Sequence, residues 1–85
     1  MIDKKVYLVR GSEDGTMDIY TNMQNAYKKA LNYFSDTNSL LINNNECTYK
    51  TFSTYLKEHW FCQIDKAEYS NTNVLVECHW LNNNL

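Results

Sequence analysis

The stretch KKVYLVR (residues 4–10), followed by TMDIY (residues 16–20), decides how this chain begins to fold. Both segments are rich in β-branched and aromatic residues, which favour strands. Between them, after Gly11, the four residues SEDG (residues 12–15) contain an Asp-Gly pair that tolerates the positive φ of a tight turn. The sequence therefore predicts that the chain opens with an antiparallel β-hairpin.

The four-residue loop also predicts the register of this hairpin, with Leu8 opposite Ile19 and Arg10 opposite Met17. Side chains alternate along a strand, so the hairpin has two faces. We expect the first helix to cover the face with Val6, Leu8, Met17 and Ile19. The opposite face is exposed unless the second helix or a second subunit covers it, and it contains Tyr7, Val9, Asp18 and Tyr20.

Two helices follow from apolar residues at helical spacing. Thr21, with Gln24 three residues later, forms a predicted capping box for the first helix. Its apolar stripe consists of Met23, Ala26, Tyr27, Ala30, Leu31 and Phe34. The second helix begins around Thr48, and its apolar side consists of Tyr49, Phe52, Tyr55, Leu56, His59 and Trp60.

The remaining segments complete an α+β domain that spans residues 1–85. Residues 40–42 (LLI) fit either an extra helical turn or a short buried segment, and residues 43–45 (NNN) form a loop. A terminal hairpin joins residues 61–69 to residues 74–81 through a loop near 70–73. The predicted order is ββα-αββ, with one four-stranded antiparallel sheet and two helices mainly on one face. A split sheet is the alternative.

Composition argues against several classes of protein. The chain has 8 basic and 10 acidic residues, net charge −2, and no basic stripe of the kind that nucleic-acid binders show. No apolar run is long enough for a membrane span. The three cysteines, an odd number without a preceding secretion signal, indicate free thiols in a reducing cytoplasm.

Two stretches, HWFC (residues 59–62) and ECHW (residues 77–80), bring histidine, cysteine and tryptophan together. On a regular strand Cys78 and His79 point to opposite sides, so they do not bind one ion together. His59 and Cys62 lack the second ligand pair of a zinc site. We therefore expect no metal, no cofactor and no catalysis, with the cysteines as core residues and His59 at a helix end.

Residues 5–31, KVYLVRGSEDGTMDIYTNMQNAYKKAL, resemble the ββα module that opens small phage and mobile-element proteins, in which an early helical alanine, here Ala26, packs on the sheet. Anti-CRISPR inhibitors are a frequent class among such proteins. The resemblance implies a phage origin and an anti-defence role, and it assigns no role to any residue.

The functional hypothesis is a non-enzymatic inhibitor in the host cytoplasm that binds a defence protein and blocks its nucleic-acid binding or activity. Tyrosine is enriched at binding hot spots, and carboxylates would meet the lysines and arginines of a nucleic-acid channel. The predicted partner-binding residues are Tyr7, Val9, Glu13, Asp14, Asp18 and Tyr20. The same tyrosines fit equally well in a core beneath the second helix. A homodimer is compatible with this hypothesis, and the alternatives are an antitoxin or immunity protein and a small nucleic-acid-binding module.

Overall fold

The computed structural model describes residues 3–11, 17–34, 37–66 and 69–82, and it has two helices and an antiparallel sheet. The predicted α+β class is therefore confirmed. The elements are β1 (Asp3–Gly11), β2 (Met17–Tyr20), α1 (Met23–Asn32), β3 (Leu40–Ile42), β4 (Asn45–Glu46), α2 (Tyr49–His59), β5 (Phe61–Lys66) and β6 (Tyr69–Asn82).

The sheet has six strands in the order β2-β1-β6-β5-β3-β4, so the predicted four strands and ββα-αββ order are wrong. The two additional strands form a small hairpin in which Ile42 pairs with Asn45. Asn43 and Asn44, at φ 49° and 66°, form its two-residue turn. Positive φ at both central positions is the pattern of a type I′ turn, which asparagine tolerates.

The last strand of the chain lies inside the sheet and joins its two halves. β6 pairs with β1 from Asp3↔Asn82 to Gly11↔Val74, and on its other side it pairs with β5. The predicted loop near residues 70–73 is wrong, because these residues belong to β6. β5 pairs with Asn73 and again with Tyr69, and the register shifts between these two pairs, so the strand begins earlier than the asparagines suggest.

The register of the first hairpin is confirmed, but the prediction of which face the helix covers is wrong. Leu8 pairs with Ile19 as expected, yet both helices pack on the face that contains Tyr7 and Val9. Beyond β1, this face continues through Val76 on β6 and Cys62 on β5, each fully buried. The helices therefore cover a continuous apolar surface, whereas polar side chains interrupt the other face of the sheet.

Each helix begins at a polar side chain that accepts a backbone hydrogen bond. The N-cap of α1 is Asn22, whose Oδ1 accepts from the backbone N–H of Asn25 at 3.1 Å, so the prediction of Thr21 is wrong by one residue. The N-cap of α2 is Thr48, whose hydroxyl accepts from the N–H of Thr51 at 3.1 Å. Such caps satisfy N–H groups that have no partner within the helix.

Candidate functional site

The predicted tyrosine surface is not available to a partner. Tyr7 is only 7% exposed and Val9 is fully buried, because the helices cover this part of β1. Tyr20, at the edge of the same face, is half-buried and packs against the core. The exposure predicted for Tyr7 and Val9 is therefore wrong, and the alternative reading of these residues as core is the correct one.

The predicted acidic residues give no exposed cluster in the described part of the chain. Asp18 lies 3.6 Å from Lys29 Nζ and accepts a hydrogen bond from the Tyr33 hydroxyl at 3.4 Å. These two contacts connect β2 to α1. Glu13 and Asp14, the two other predicted carboxylates, lie outside the described residues.

The cysteines occupy the core positions that the sequence predicts. Cys62 and Cys78 are buried, and burial raises the pKa of the Cys62 thiol to about 12. Half-buried Cys47 lies 3.7 Å from the Tyr27 hydroxyl, and burial raises its pKa as well. A nucleophilic cysteine needs a depressed pKa, so these thiols do not have the properties of a catalytic group.

The histidines lie on the surface, each beside a glutamate. His59 Nε2 is 3.8 Å from Glu58, and His79 Nε2 is 3.1 Å from Glu77. Neither pair includes a thiol. Within the described ranges, no group of three or more histidine, cysteine, aspartate or glutamate residues could hold a metal ion.

The most unusual surface feature is a pair of tryptophans, the two that the chain contains. Trp60 is 45% exposed and Trp80 is 53% exposed, and their ring centroids are 6.3 Å apart. The Nζ atom of Lys5 lies 5.7 Å from the Trp60 ring and 5.1 Å from the Trp80 ring, within cation–π range. We call these three residues the tryptophan site.

Three elements bring the tryptophan site together. Trp60 ends α2 in the left-handed conformation at φ 66°, and its N–H donates to the Leu56 carbonyl at 2.8 Å. The N–H of Cys78 donates to the Trp60 carbonyl at 2.8 Å, which fixes this helix end to β6. Two residues along β6, Trp80 pairs with Lys5 of β1. The rings therefore stand on backbone that is anchored at both ends.

No match was found when the chain was compared with protein-family models, with curated proteins and with solved structures. Within the described residues, no helix combines the length and apolarity that a membrane span requires. The site must therefore be interpreted from its own chemistry.

That chemistry is aromatic and cationic. A cavity of about 20 Å³ opens beside Trp60, large enough for a single water molecule. Its described lining contains two ammonium groups and no carboxylate; the residues are Lys5, Met23, Leu56, Lys57, Trp60 and Cys78. The tryptophan site thus offers two flat apolar rings within a positive environment.

Sequence patterns place each tryptophan on the apolar side of its element. Strand alternation correctly places Trp80 on the same face as Cys78, and helical spacing places Trp60 on the apolar side of α2. Both rings are exposed because α2 ends at His59, so no helix continues over the end of the sheet. The sequence signal for their exposure is their position, because Trp60 directly follows a helix and Trp80 lies near the end of the last strand.

Proposed function

We propose that this protein is a non-enzymatic inhibitor that binds a macromolecular partner through the tryptophan site. The observation that supports this is the half-exposed pair of rings, one of which has an unfavourable backbone conformation. A bulky residue at positive φ is rare and costs on the order of 1–3 kcal/mol. Trp60 meets this cost although nearly half of its side chain stays exposed, and a binding role accounts for such a residue better than packing does.

The chemistry of the site indicates what the partner surface contains. Tryptophan is the side chain most typical of binding hot spots, where it fills an apolar recess. Lys5 and Lys57 at the border favour carboxylates on the partner. The partner patch is thus an apolar recess with an acidic rim. This mode differs from mimicry of phosphate by carboxylates, the mode predicted from the hairpin.

The resemblance of residues 5–31 to small phage proteins supports a host defence protein as the partner, which places the inhibitor in the host cytoplasm. A block on the target's nucleic-acid binding or activity would then follow from occupation of its surface. An antitoxin or immunity protein would use the same site against a toxin. The neighbouring genes separate these cases, because a toxin gene favours the antitoxin and a phage operon favours the inhibitor.

The experiment is capture from host lysate with an immobilised wild-type chain, followed by identification of the captured protein and an activity assay on it in pure form. We expect Trp60→Gly and Trp80→Ala each to reduce binding and inhibition at least about tenfold, a loss of about 1.4 kcal/mol. The matched control is Tyr49→Ala, which removes an exposed aromatic ring from the other end of α2. Equal binding by all three variants would contradict the proposal.

A single-stranded nucleic acid is the second candidate partner, because bases stack on exposed rings beside cationic side chains. Both tryptophans lie in the site, so intrinsic fluorescence reports on it directly. Titration with an oligothymidylate would quench this fluorescence with a strong salt dependence if the second candidate is correct. For the protein-binding proposal we expect no such salt-sensitive quenching, and its occurrence in wild type but not in Trp80→Ala would replace the first proposal.

A further inference from the structure

The face of the sheet opposite the helices exposes several apolar side chains, although Val6 is buried on it. Its side chains alternate with those of the core, and Ile19 is 62% exposed. Met17 and Phe61 are each nearly half exposed. The ring of Phe61, at the start of β5, also lies near two α2 rings, 6.1 Å from Tyr55 and 6.3 Å from His59 between centroids. We call this surface the open face, and its apolar members are Val6, Leu8, Met17, Ile19, Leu41, Phe61 and Leu75.

The charges of the open face are unevenly distributed. On the β1 side, Arg10 is exposed and lies 3.3 Å from Glu77 of the central strand β6. On the β5 side, Asp65 accepts a hydrogen bond from the Gln63 side-chain amide at 2.7 Å. Glu46 lies beyond it on β4. One half of the face is therefore basic near Arg10, and the other half is acidic.

We infer that the open face binds the open face of a second copy of this chain, giving a two-fold dimer of stacked sheets. A two-fold axis parallel to β6 reverses the lateral order of the strands. It therefore places β1 of one copy over β5 of the other. Each copy then supplies both the basic half and the acidic half of the interface, which is how an isologous dimer closes. Stacked sheets pack about 10 Å apart with nearly aligned strands.

The register of the sheet indicates which groups meet in this arrangement. Leu8 and Phe61 flank Glu77 in the same row, so Leu8 of one copy faces Phe61 of the other. Arg10 and Gln63 share the next row, and Asp65 lies two residues farther along β5, within reach of an arginine side chain. Apolar groups thus meet apolar groups, and a guanidinium meets a carboxylate.

Glu77 on the central strand lies near the axis, so the Glu77 side chains of the two copies approach each other. Within each copy, the Glu77 carboxylate lies 3.3 Å from the Arg10 guanidinium and 3.1 Å from the His79 ring. Each of the two carboxylates therefore already has partners when they approach. An axis perpendicular to the strands would instead stack β1 on β1 and β5 on β5, so that basic half would face basic half and acidic half would face acidic half. Charge therefore favours the parallel axis.

The tryptophan site belongs to the helical side of the sheet, so the dimer leaves both copies of that site free. The inference is thus independent of the proposed function.

The first test measures mass by light scattering or sedimentation from about 1 μM to about 1 mM protein, a range that brackets ordinary dimer affinities. We expect wild type to approach twice the monomer mass of 10.1 kDa. Ile19→Glu and Asp65→Arg are each expected to raise the dissociation constant more than about tenfold. Trp80→Glu, a matched change of an exposed apolar residue on the helical side, is expected to leave it unchanged.

The second test fixes the orientation with a short bismaleimide crosslinker. In a Cys47→Ser background, a mixture of Leu8→Cys and Phe61→Cys chains is expected to give covalent dimers, whereas either chain alone is expected to give few. A wild-type chain that stays monomeric, or a dimer that Trp80→Glu disrupts and Ile19→Glu does not, would overturn the inference. Crosslinking of Leu8→Cys alone, in preference to the mixture, would overturn the proposed axis.

Discussion

The Cys62 side chain is fully buried in the core, where its thiol is held in the neutral form. Burial is the main cause of its raised pKa, and the nearby Cys47 and Asp65 act in the same direction. The ordinary pKa of the thiol is 9.0, and in the folded chain it is about 12. Between these two values the unfolded chain releases a proton that the folded chain keeps.

Folding stability should therefore fall as the pH rises from 9 toward 12, because ionisation favours the unfolded chain in that range. Below pH 9 the thiol is protonated in both states and contributes no pH dependence. We expect the free energy of unfolding in urea to fall less between pH 8 and pH 10.5 in Cys62→Ala than in wild type. Other groups titrate in both proteins, so identical pH slopes would show that Cys62 is not the source.

Tyr7 is a predicted partner-binding residue that the structure places in the core. Its side chain fills the core between the sheet and the helices, so Tyr7→Ala should lower the free energy of unfolding by about 3–5 kcal/mol, as for other large aromatic truncations. Tyr7→Phe keeps the ring and is the matched control, expected near wild type. Urea unfolding measures both, and a Tyr7→Ala chain of unchanged stability would contradict the burial described here.

At the scale of elements, the start of α1 shows how local chemistry selects between neighbouring residues. Thr21 and Asn22 are both good N-cap residues, and Thr21 has Gln24 at capping-box spacing. The backbone of Asn22 is extended, at φ −125° and ψ 126°, and the helix begins at Met23. The docking of α1 on the sheet, which local sequence does not determine, thus selects the second candidate.

Asn22→Ala is expected to destabilise the fold by about 1 kcal/mol, because the N–H of Asn25 loses its acceptor. Thr21→Ala is the matched control and is expected to change stability by less than about 0.5 kcal/mol, the range of neutral surface substitutions. Urea midpoints of the two variants provide the comparison. The opposite ranking would support the capping box predicted from sequence.

The elements that sequence predicts well are those whose signal is local. Helical spacing locates both helices, and the alternation of Val74, Val76 and Cys78 locates the core side of β6. The β3–β4 hairpin was missed because three residues show too little periodicity to distinguish a strand from a helical turn. The exposed faces were misassigned for another reason: which side of a sheet receives the helices depends on strands distant in sequence.

At the scale of the whole molecule, the two ends of the chain form the centre of the fold. β1 and β6 pair along nine residue positions although nearly the whole chain separates them. The same strand β6 also holds β5, and through it the β3–β4 hairpin. Most of the sheet therefore forms only after distant segments meet, a topology associated with slow and cooperative folding.

Removal of residues 74–85 should consequently unfold the entire chain instead of only its end. Without β6, neither β1 nor β5 has its central neighbour, and the apolar surface beneath both helices loses Val74, Val76 and Cys78. We expect residues 1–73 to lack a cooperative thermal transition and most helical circular dichroism. Addition of a peptide spanning residues 69–85 should restore both signals, because the missing strand can pair from outside. A cooperative transition in residues 1–73 alone would mean that the two halves of the sheet fold without the strand that joins them.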